Sequence, residues 1–312
     1  MLLLCTLTCV GQNLPLTNPI VDSPDPFVTR YEGQYLLLAT RGNNITIWAS
    51  KDIASLGEHP HVVWTPPDDM AQMWSPTLWK LKGSWWIYFT AKYPDKKHAI
   101  YVLQSNSSDP LGSYTFRGEL PLGNEAIDPS ILTIKHTKYL MYVAVEPHKW
   151  NAVWMTPLPD PLKPSGPGTI LISPDQPWER GFPTTHNFPV AEGPTALYHK
   201  GKTFIVYSGS DTGTYVYCLG LFTYSGHGDP TVSANWRKTG PVFSFSAANH
   251  VFGPGRGTFT TSPDGRQDWI LYHAKDTDAY TYGHRTTRAQ PFTWNPDGSP
   301  NFGVPVPVGP LR

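Results

Sequence analysis

A unit that recurs five times along the chain restricts the possible folds of this sequence more than any other feature. Each unit opens with a short polar segment that ends in proline, passes through a turn and enters an aromatic-rich apolar run. The units begin at "DPFVTRYEGQYLLLAT", "WSPTLWKLKGSWWIYFTA", "DPSILTIKHTKYLMYVAV", "EGPTALYHKGKTFIVYSG" and "GPGRGTFTTSPDGRQDWILYHA". Gaps of 50, 53, 65 and 60 residues separate the motif prolines, which are Pro26, Pro76, Pro129, Pro194 and Pro254.

The apolar runs have the composition of β-strands, because they are rich in aromatic and branched residues and are bounded by turn residues. Further strand-like segments follow inside the units, such as "NITIWAS", "HAIYVLQ", "NAVWMT" and "TYVYCLGLF". Units of this length with several short strands each predict an all-β protein, a five-bladed β-propeller. A pair of β-sandwiches with coincidental spacing is the alternative, and the five matched units favour the propeller.

Charge and cysteine content exclude several classes of partner and site. The 24 basic and 24 acidic side chains cancel, so neither a nucleic acid nor an anionic membrane is an expected partner. Cys5, Cys9 and Cys218 match no zinc spacing and no readable disulfide framework, and Cys218 is expected as a buried thiol. A closed propeller leaves few free strand edges, which predicts a monomer.

The first residues of the chain resemble a secretory signal. Residues 2–10 are mostly apolar but too few to span a membrane, and no Lys or Arg precedes them. The sequons at Asn44 and Asn106 are compatible with secretion. We therefore expect a signal segment, truncated at its start, over residues 1–17, and a single propeller domain over residues 18–312 in a secreted, extracellular protein.

Matching positions of all blades face one central funnel in a propeller, so the polar residues beside the motif prolines should meet there. These residues are Asp25, Trp74 with Ser75, Asp128, Glu192 and, in the fifth unit, Gly253 flanked by His250 and Arg256. Three carboxylates are thus expected to converge from three blades. Carboxylates that share a cavity push their pKa values apart, which provides the acid and the base that glycoside hydrolysis needs.

Other residues could complete a sugar site. Trp74 offers an apolar face for a sugar ring, and Arg288 and Arg285 are candidates for binding hydroxyl groups or tuning a carboxylate. Each candidate also has a structural alternative, since Asp before Pro often forms a turn and a lone Trp usually lies in the core. Asp22 competes with Asp25, which is favoured by the Asp-Pro register that it shares with the third unit.

Taken in order, the motifs resemble glycoside hydrolase family 43, whose members are five-bladed propellers with inverting chemistry. The resemblance rests on "SPDPFV", "MWSPTLWKLKGSWWIYFTA", "AIDPSIL", "AEGPTALYHKGKTFIVYSGS", "FGPGRGTFTTSPDG", "LYHA" and "TRAQPFTWNPDGSPNFGVPVP". It implies that Asp25 is the general base that activates water and that Glu192 is the general acid. It also implies that Asp128 modulates the pKa of the acid and orients it.

The last third of the chain is most similar to the exo-acting α-L-arabinofuranosidases of that family. This likeness implies the release of terminal arabinofuranose from plant cell-wall arabinan or arabinoxylan oligosaccharides. A β-xylosidase or an endo-arabinanase on the same fold remains an alternative. So do a non-catalytic polysaccharide-binding propeller and, fitting least well, a protein-interaction propeller.

Two departures from the family pattern concern the second and fifth units. Thr77 stands where relatives often have Glu, so one carboxylate is missing. Relatives commonly carry a His after Gly-Pro-Gly that helps to hold a central metal ion, commonly calcium, and this chain has Arg256. A guanidinium cannot ligate calcium and would repel it, so we expect no required cofactor and no metal ligand, and a central calcium ion remains the disfavoured alternative. Arg256 and His273 of "LYHA" join Trp74 and Arg288 as predicted substrate-binding residues.

Overall fold

The computed structural model describes residues 16–67, 69–186 and 188–311, and within these ranges it contains β-strands and short 3-10 turns but no α-helix. Five four-stranded antiparallel sheets follow one another along the chain, each ordered from its innermost strand outward. The first strand and the first blade comprise β1 (Thr17–Asn18), β2 (Phe27–Tyr31), β3 (Gln34–Leu38), β4 (Ile45–Ser50) and β5 (Pro60–Trp64). The second blade comprises β6 (Ala71–Leu81), β7 (Ser84–Lys92), β8 (Ala99–Ser105) and β9 (Tyr114–Glu119).

The remaining blades repeat this pattern. The third blade comprises β10 (Ile127–Ile134), β11 (Thr137–Val145), β12 (Asn151–Pro157) and β13 (Thr169–Ile172). The fourth comprises β14 (Ala191–His199), β15 (Lys202–Gly209), β16 (Cys218–Tyr224) and β17 (Trp236–Phe243). The fifth blade and the last strand comprise β18 (Phe252–Thr261), β19 (Asp268–Lys275), β20 (Thr286–Trp294), β21 (Pro300–Asn301) and β22 (Gly309–Pro310). Short 3-10 turns lie at Ile53–Ser55, Pro177–Arg180 and Ser233–Asn235.

The strands confirm the repeat read from the sequence. Each motif proline lies within or directly before the innermost strand of a blade, and each apolar run forms the second strand. Strand β7 is buried along almost its whole length, because blades pack against both of its faces. A strand that is covered on both faces has a continuous run of apolar residues, so it can be recognised from its own sequence.

Five apolar clusters fill the spaces between neighbouring blades. Each draws its side chains from two adjacent blades, and the last joins Leu271 and Ala289 of the fifth blade to Val28 and Leu37 of the first. The innermost strands follow in the order β2, β6, β10, β14 and β18, and β18 contacts β2 again. The chain is therefore a closed five-bladed β-propeller, as predicted.

The ring is closed by β1 and the residue before it. Asn18 donates from Nδ2 to the carbonyl of Ala289 at 2.9 Å and accepts from its amide at 2.8 Å. Leu16 is buried in the cluster between the first and fifth blades. The fold thus includes Leu16 and Thr17, which the sequence had placed in the signal segment, while residues 1–15 with Cys5 and Cys9 lie outside the described residues.

Cys218 is a buried free thiol, as expected. Among the residues that the structure describes, no helix is long and apolar enough to cross a membrane.

Candidate active site

A repeated backbone bend builds one end of the central funnel. The residue before each motif proline has a positive φ; these are Asp25 (57°), Ser75 (52°), Asp128 (57°), Gly193 (57°) and Gly253 (57°). Register shifts interrupt the innermost strand at this bend in four of the five blades. Bulges of this kind re-aim side chains, and residues other than glycine adopt such φ values only when their surroundings hold them there.

The bend also corrects the register assumed for the fourth unit. Gly193, and not Glu192, occupies the position that matches Asp25 and Asp128. Glu192 lies one residue earlier in the chain. The amide of the next residue, Gly193, donates to Oδ2 of Asp128 at 3.1 Å and so holds Glu192 near the other carboxylates.

Asp25 lies among cationic and polar neighbours. Its Oδ1 is 3.4 Å from Nη1 of Arg285, 3.1 Å from Nδ1 of His273 and 3.8 Å from Nε of Arg256, while Thr40 donates its hydroxyl to Oδ2 at 2.7 Å. Burial would raise the pKa of Asp25, but the charge of Arg285, the hydrogen bond with His273 and the charge of Arg256 together outweigh it. The net pKa lies well below the usual value, so Asp25 is ionised.

Asp128 accepts hydrogen bonds from two other blades and forms an ion pair with a third. Ser75 donates its hydroxyl to Oδ1 at 2.7 Å, and Nη1 of Arg256 lies 3.1 Å from Oδ2, which also accepts from Gly193. The amide of Asp128 itself donates to Thr90 at 3.0 Å. Both the backbone and the carboxylate of Asp128 are therefore fixed.

Glu192, unlike Asp25, favours the protonated and uncharged form of its carboxyl group. Burial of the carboxyl group and the neighbouring charge of Asp128 raise its pKa to about 8, although the hydroxyl of Tyr217 donates to Oε1 at 2.7 Å and the charge of Arg256 opposes the shift. Glu192 is thus mostly protonated at neutral pH. The residue as a whole is only partly covered.

Trp74 lies on β6, one residue before Ser75, which contacts Asp128. Its ring stacks on the ring of His98 with centroids 4.3 Å apart, and His98 also contacts Glu125. These three residues, with Ile127 and Asn151, line part of a cavity of about 150 Å³. Neither this cavity nor a larger one of about 460 Å³ near Leu81 and His136 is lined by any of the three carboxylates, so cavity size does not identify the site.

The other predicted site residues differ in whether they contact the carboxylates. His273 is fully buried and contacts Asp25, and burial and the charge of Arg285 lower its pKa to about 4, so the imidazole is neutral. Arg288 is also fully buried and pairs with Asp276, away from the carboxylates. Arg285 is the arginine of this segment that reaches Asp25.

Two residues that the sequence offered as alternative site groups lie apart from the three carboxylates. Asp22 and His250 are exposed, and neither contacts the three carboxylates in the described structure. Tyr217 and Thr40 are site residues that the sequence did not reveal. Tyr217 lies in an apolar aromatic stretch and Thr40 lies just after β3, so neither carries a local signal of its contact.

The residues present do not fit a central calcium ion. Calcium requires about six to eight oxygen ligands, and in the described ranges no three His, Cys, Asp or Glu side chains form a group that could hold a metal ion. The guanidinium of Arg256 occupies the space between Asp25 and Asp128 instead. That no cofactor is required stays a prediction.

The arrangement can carry out acid–base chemistry on a neutral substrate. One carboxylate is held ionised by cations, and another is held protonated by burial and by a third carboxylate. Such a pair can accept a proton from water and donate a proton to a leaving group in the same reaction.

Comparison with known proteins gives consistent matches over nearly the whole chain. The sequence model described as "Glycosyl hydrolases family 43" matches residues 16–300. The chain is 31% identical over 318 residues to an extracellular exo-α-(1→5)-L-arabinofuranosidase of Streptomyces avermitilis, a match covering 95% of this chain and 65% of that protein. It is 30% identical over 311 residues to α-L-arabinofuranosidase 43 of Humicola insolens, covering 93% of this chain and 63% of that protein.

A solved structure agrees with these matches. The α-L-arabinofuranosidase from Lactobacillus brevis is similar with a TM-score of 0.87 and 28% identity, over 94% of this chain and 98% of that one. The chain spans just under two thirds of the length of the two curated relatives, at 65% and 63%.

Proposed function

Because the chain belongs to glycosyl hydrolase family 43, we propose that it releases terminal α-L-arabinofuranosyl residues from arabinan or arabinoxylan oligosaccharides with inversion of configuration. The observation that carries the proposal is the unequal charge of two carboxyl groups in one funnel. Asp25 is held ionised beside Arg285 and Arg256, while the pKa of Glu192 is raised to about 8. The names of the relatives support the choice of sugar.

In the proposed reaction Asp25 accepts a proton from a water molecule whose oxygen attacks the anomeric carbon. The bond between that carbon and the glycosidic oxygen breaks, and Glu192 donates its proton to the leaving oxygen. The charge of Asp128 keeps Glu192 protonated until that step, and its bond with the Gly193 amide fixes the position of the acid. Asp25 then loses its proton to solvent and Glu192 regains one, which completes the cycle.

Sugar binding is assigned to groups at the funnel mouth. The ring of Trp74 provides an apolar face, and Arg285, which is partly exposed beside Asp25, provides donors for sugar hydroxyl groups. Arg256 and His273 contact Asp25 and are assigned to its positioning. Arg288 is fully buried, so no contact with sugar is assigned to it.

The same comparison supports a proposal for where the enzyme acts. Action on extracellular plant polysaccharide requires secretion, and a relative from Streptomyces avermitilis is named as extracellular. We propose a secreted monomer with no nucleic-acid or membrane partner.

A substrate panel tests the proposal. Hydrolysis of 4-nitrophenyl α-L-arabinofuranoside should be compared with hydrolysis of the β-D-xyloside and of linear arabino-oligosaccharides. We expect arabinose as the only early product from the oligosaccharides and little xylosidase activity. Proton NMR of the first product should show the β-anomer.

The outcomes separate the alternatives. Longer products at early times would indicate an endo-arabinanase, and activity on the xyloside alone would indicate a β-xylosidase. Binding to arabinan without hydrolysis would contradict the catalytic assignment, and a retained anomeric configuration would contradict the roles given to Asp25 and Glu192.

A further inference from the structure

The side chain of Arg256 crosses the propeller axis. It extends from β18 of the fifth blade, and Nη1 lies 3.1 Å from Asp128 of the third blade. Nε lies 3.8 Å from Asp25 of the first blade. Arg256 is 9% exposed, so a single buried cation links carboxylates from two other blades.

Gly193 of the fourth blade leaves room for the Arg256 side chain. A Cβ atom at Gly193 would lie 2.3 Å from Cδ and 2.7 Å from Nη1 of Arg256, which is closer than such atoms approach. The hydroxyl of Ser208 accepts from the Arg256 amide at 2.9 Å, and Arg256 itself has a φ of 54°. Glycine is therefore needed beside Glu192 both for its positive φ and for the guanidinium that passes over it.

From these contacts we infer that Arg256 is the built-in cation of the catalytic funnel. It is a positioning residue that holds Asp25 and Asp128 at a fixed separation. The inference rests on the proposed function, because that function assigns the roles of these two carboxylates.

The charged groups around Arg256 determine how removal of its guanidinium would affect the contacts and protonation of the carboxylates. Asp25, Asp128, Glu192 and Tyr217 surround the guanidinium, and His273 and Arg285 also face Asp25. Without Arg256, Asp25 keeps the contacts with Arg285, Thr40 and His273. Asp128 keeps fewer side-chain contacts in the described ranges, those with the Ser75 hydroxyl and the Gly193 amide. Loss of the positive charge also favours the protonated forms of Asp25 and Glu192.

The first experiment removes the guanidinium and returns it. We expect Arg256→Ala to lower kcat/KM about 100-fold, because misplaced catalytic groups cost rates of this order. Guanidinium chloride well below denaturing concentrations should restore part of the loss, and sodium chloride at equal ionic strength should not. Both limbs of the pH profile should move to higher pH. Arg266→Ala, which removes a surface arginine, should behave as the parent protein does.

A metal chelator provides the complementary measurement. The parent enzyme should keep its kcat/KM in excess EDTA, and added calcium should not increase it. Full activity of Arg256→Ala, failure of guanidinium to restore any activity, or EDTA inactivation reversed by calcium would each overturn the inference.

A second pair of variants tests the packing without any assay of activity. Gly193→Ala should destabilise the parent protein more than it destabilises Arg256→Ala, because the clash needs both side chains. Urea unfolding of the four proteins measures this difference. Equal effects in both backgrounds would overturn the inference, whereas a parent enzyme inactive on every glycoside of the panel would overturn the proposed function and leave this measurement valid.

Discussion

Asp25 and Glu192 carry the same functional group, and their neighbours give them opposite charges. Two arginines and a neutral histidine surround Asp25, while a second carboxylate and a tyrosine hydroxyl adjoin Glu192. Coulombic interactions are strong in a site that excludes water, so these few contacts suffice to separate an acid from a base.

Asp128→Asn should move the alkaline limb of kcat/KM to lower pH. In the proposed reaction Glu192 acts as an acid only while protonated, and its pKa of about 8 depends on burial and, next, on the charge of Asp128. Asparagine removes that charge but can still accept from Ser75. Activity at the optimum should also fall about 100-fold if Glu192 loses its anchor. An unchanged alkaline limb in a pH–rate profile would show that Asp128 does not control the acid.

The sequence predicted the carboxylates better than the arginines. Asp25 and Asp128 recur beside motif prolines, so the repeat itself aligns them. Arg285 and Arg288 stand three residues apart at the start of β20, and the path of the preceding loop decides which one reaches the funnel. The role of Gly193 likewise depends on Arg256, which is distant in sequence, and no local pattern reveals it.

The strands themselves were predictable because their signals are local. Aromatic runs, turn residues and motif prolines mark the first two strands of every blade. The bend at the start of each innermost strand was not predictable, since its positive φ falls on Asp or Ser in three blades and on glycine in two.

The 3-10 turn at Pro177–Arg180 is held to the fourth blade by a buried ion pair. Nζ of Lys238 lies 2.8 Å and 2.9 Å from the two oxygens of Glu179, whose side chain is fully buried. Lys238→Met would leave the carboxylate without its cation, and we expect it to lower the free energy of unfolding by about 3 kcal/mol. Urea unfolding measures the change.

Lys82→Met is the matched control for that variant. Lys82 pairs with Asp160 at 2.8 Å, but both side chains are exposed, so its loss should cost about 0.5 kcal/mol or less. Equal effects of the two substitutions would contradict the structural role assigned to the buried pair.

Closure of the ring makes the stability of the whole propeller depend on a few contacts. Asn18→Ala would leave both buried backbone groups of Ala289 without partners, and we expect a loss of about 2 kcal/mol or more. Asn124→Ala, at an exposed position, should change stability by about 0.5 kcal/mol or less. Thermal or urea unfolding distinguishes them, and an unaffected Asn18→Ala protein would show that this contact does not close the ring.

The separate roles proposed for Glu192 as general acid and Asp25 as general base are tested most directly with Glu192→Gln and two substrates. An arabino-oligosaccharide needs a proton on its leaving oxygen, whereas 4-nitrophenolate leaves readily without one. We predict that kcat/KM for the oligosaccharide falls by about 10² to 10⁴ and that the nitrophenyl glycoside loses much less. Asp25→Asn should impair both substrates alike, because both need an activated water. Equal losses on the two substrates for Glu192→Gln, or full activity of that variant, would contradict the account.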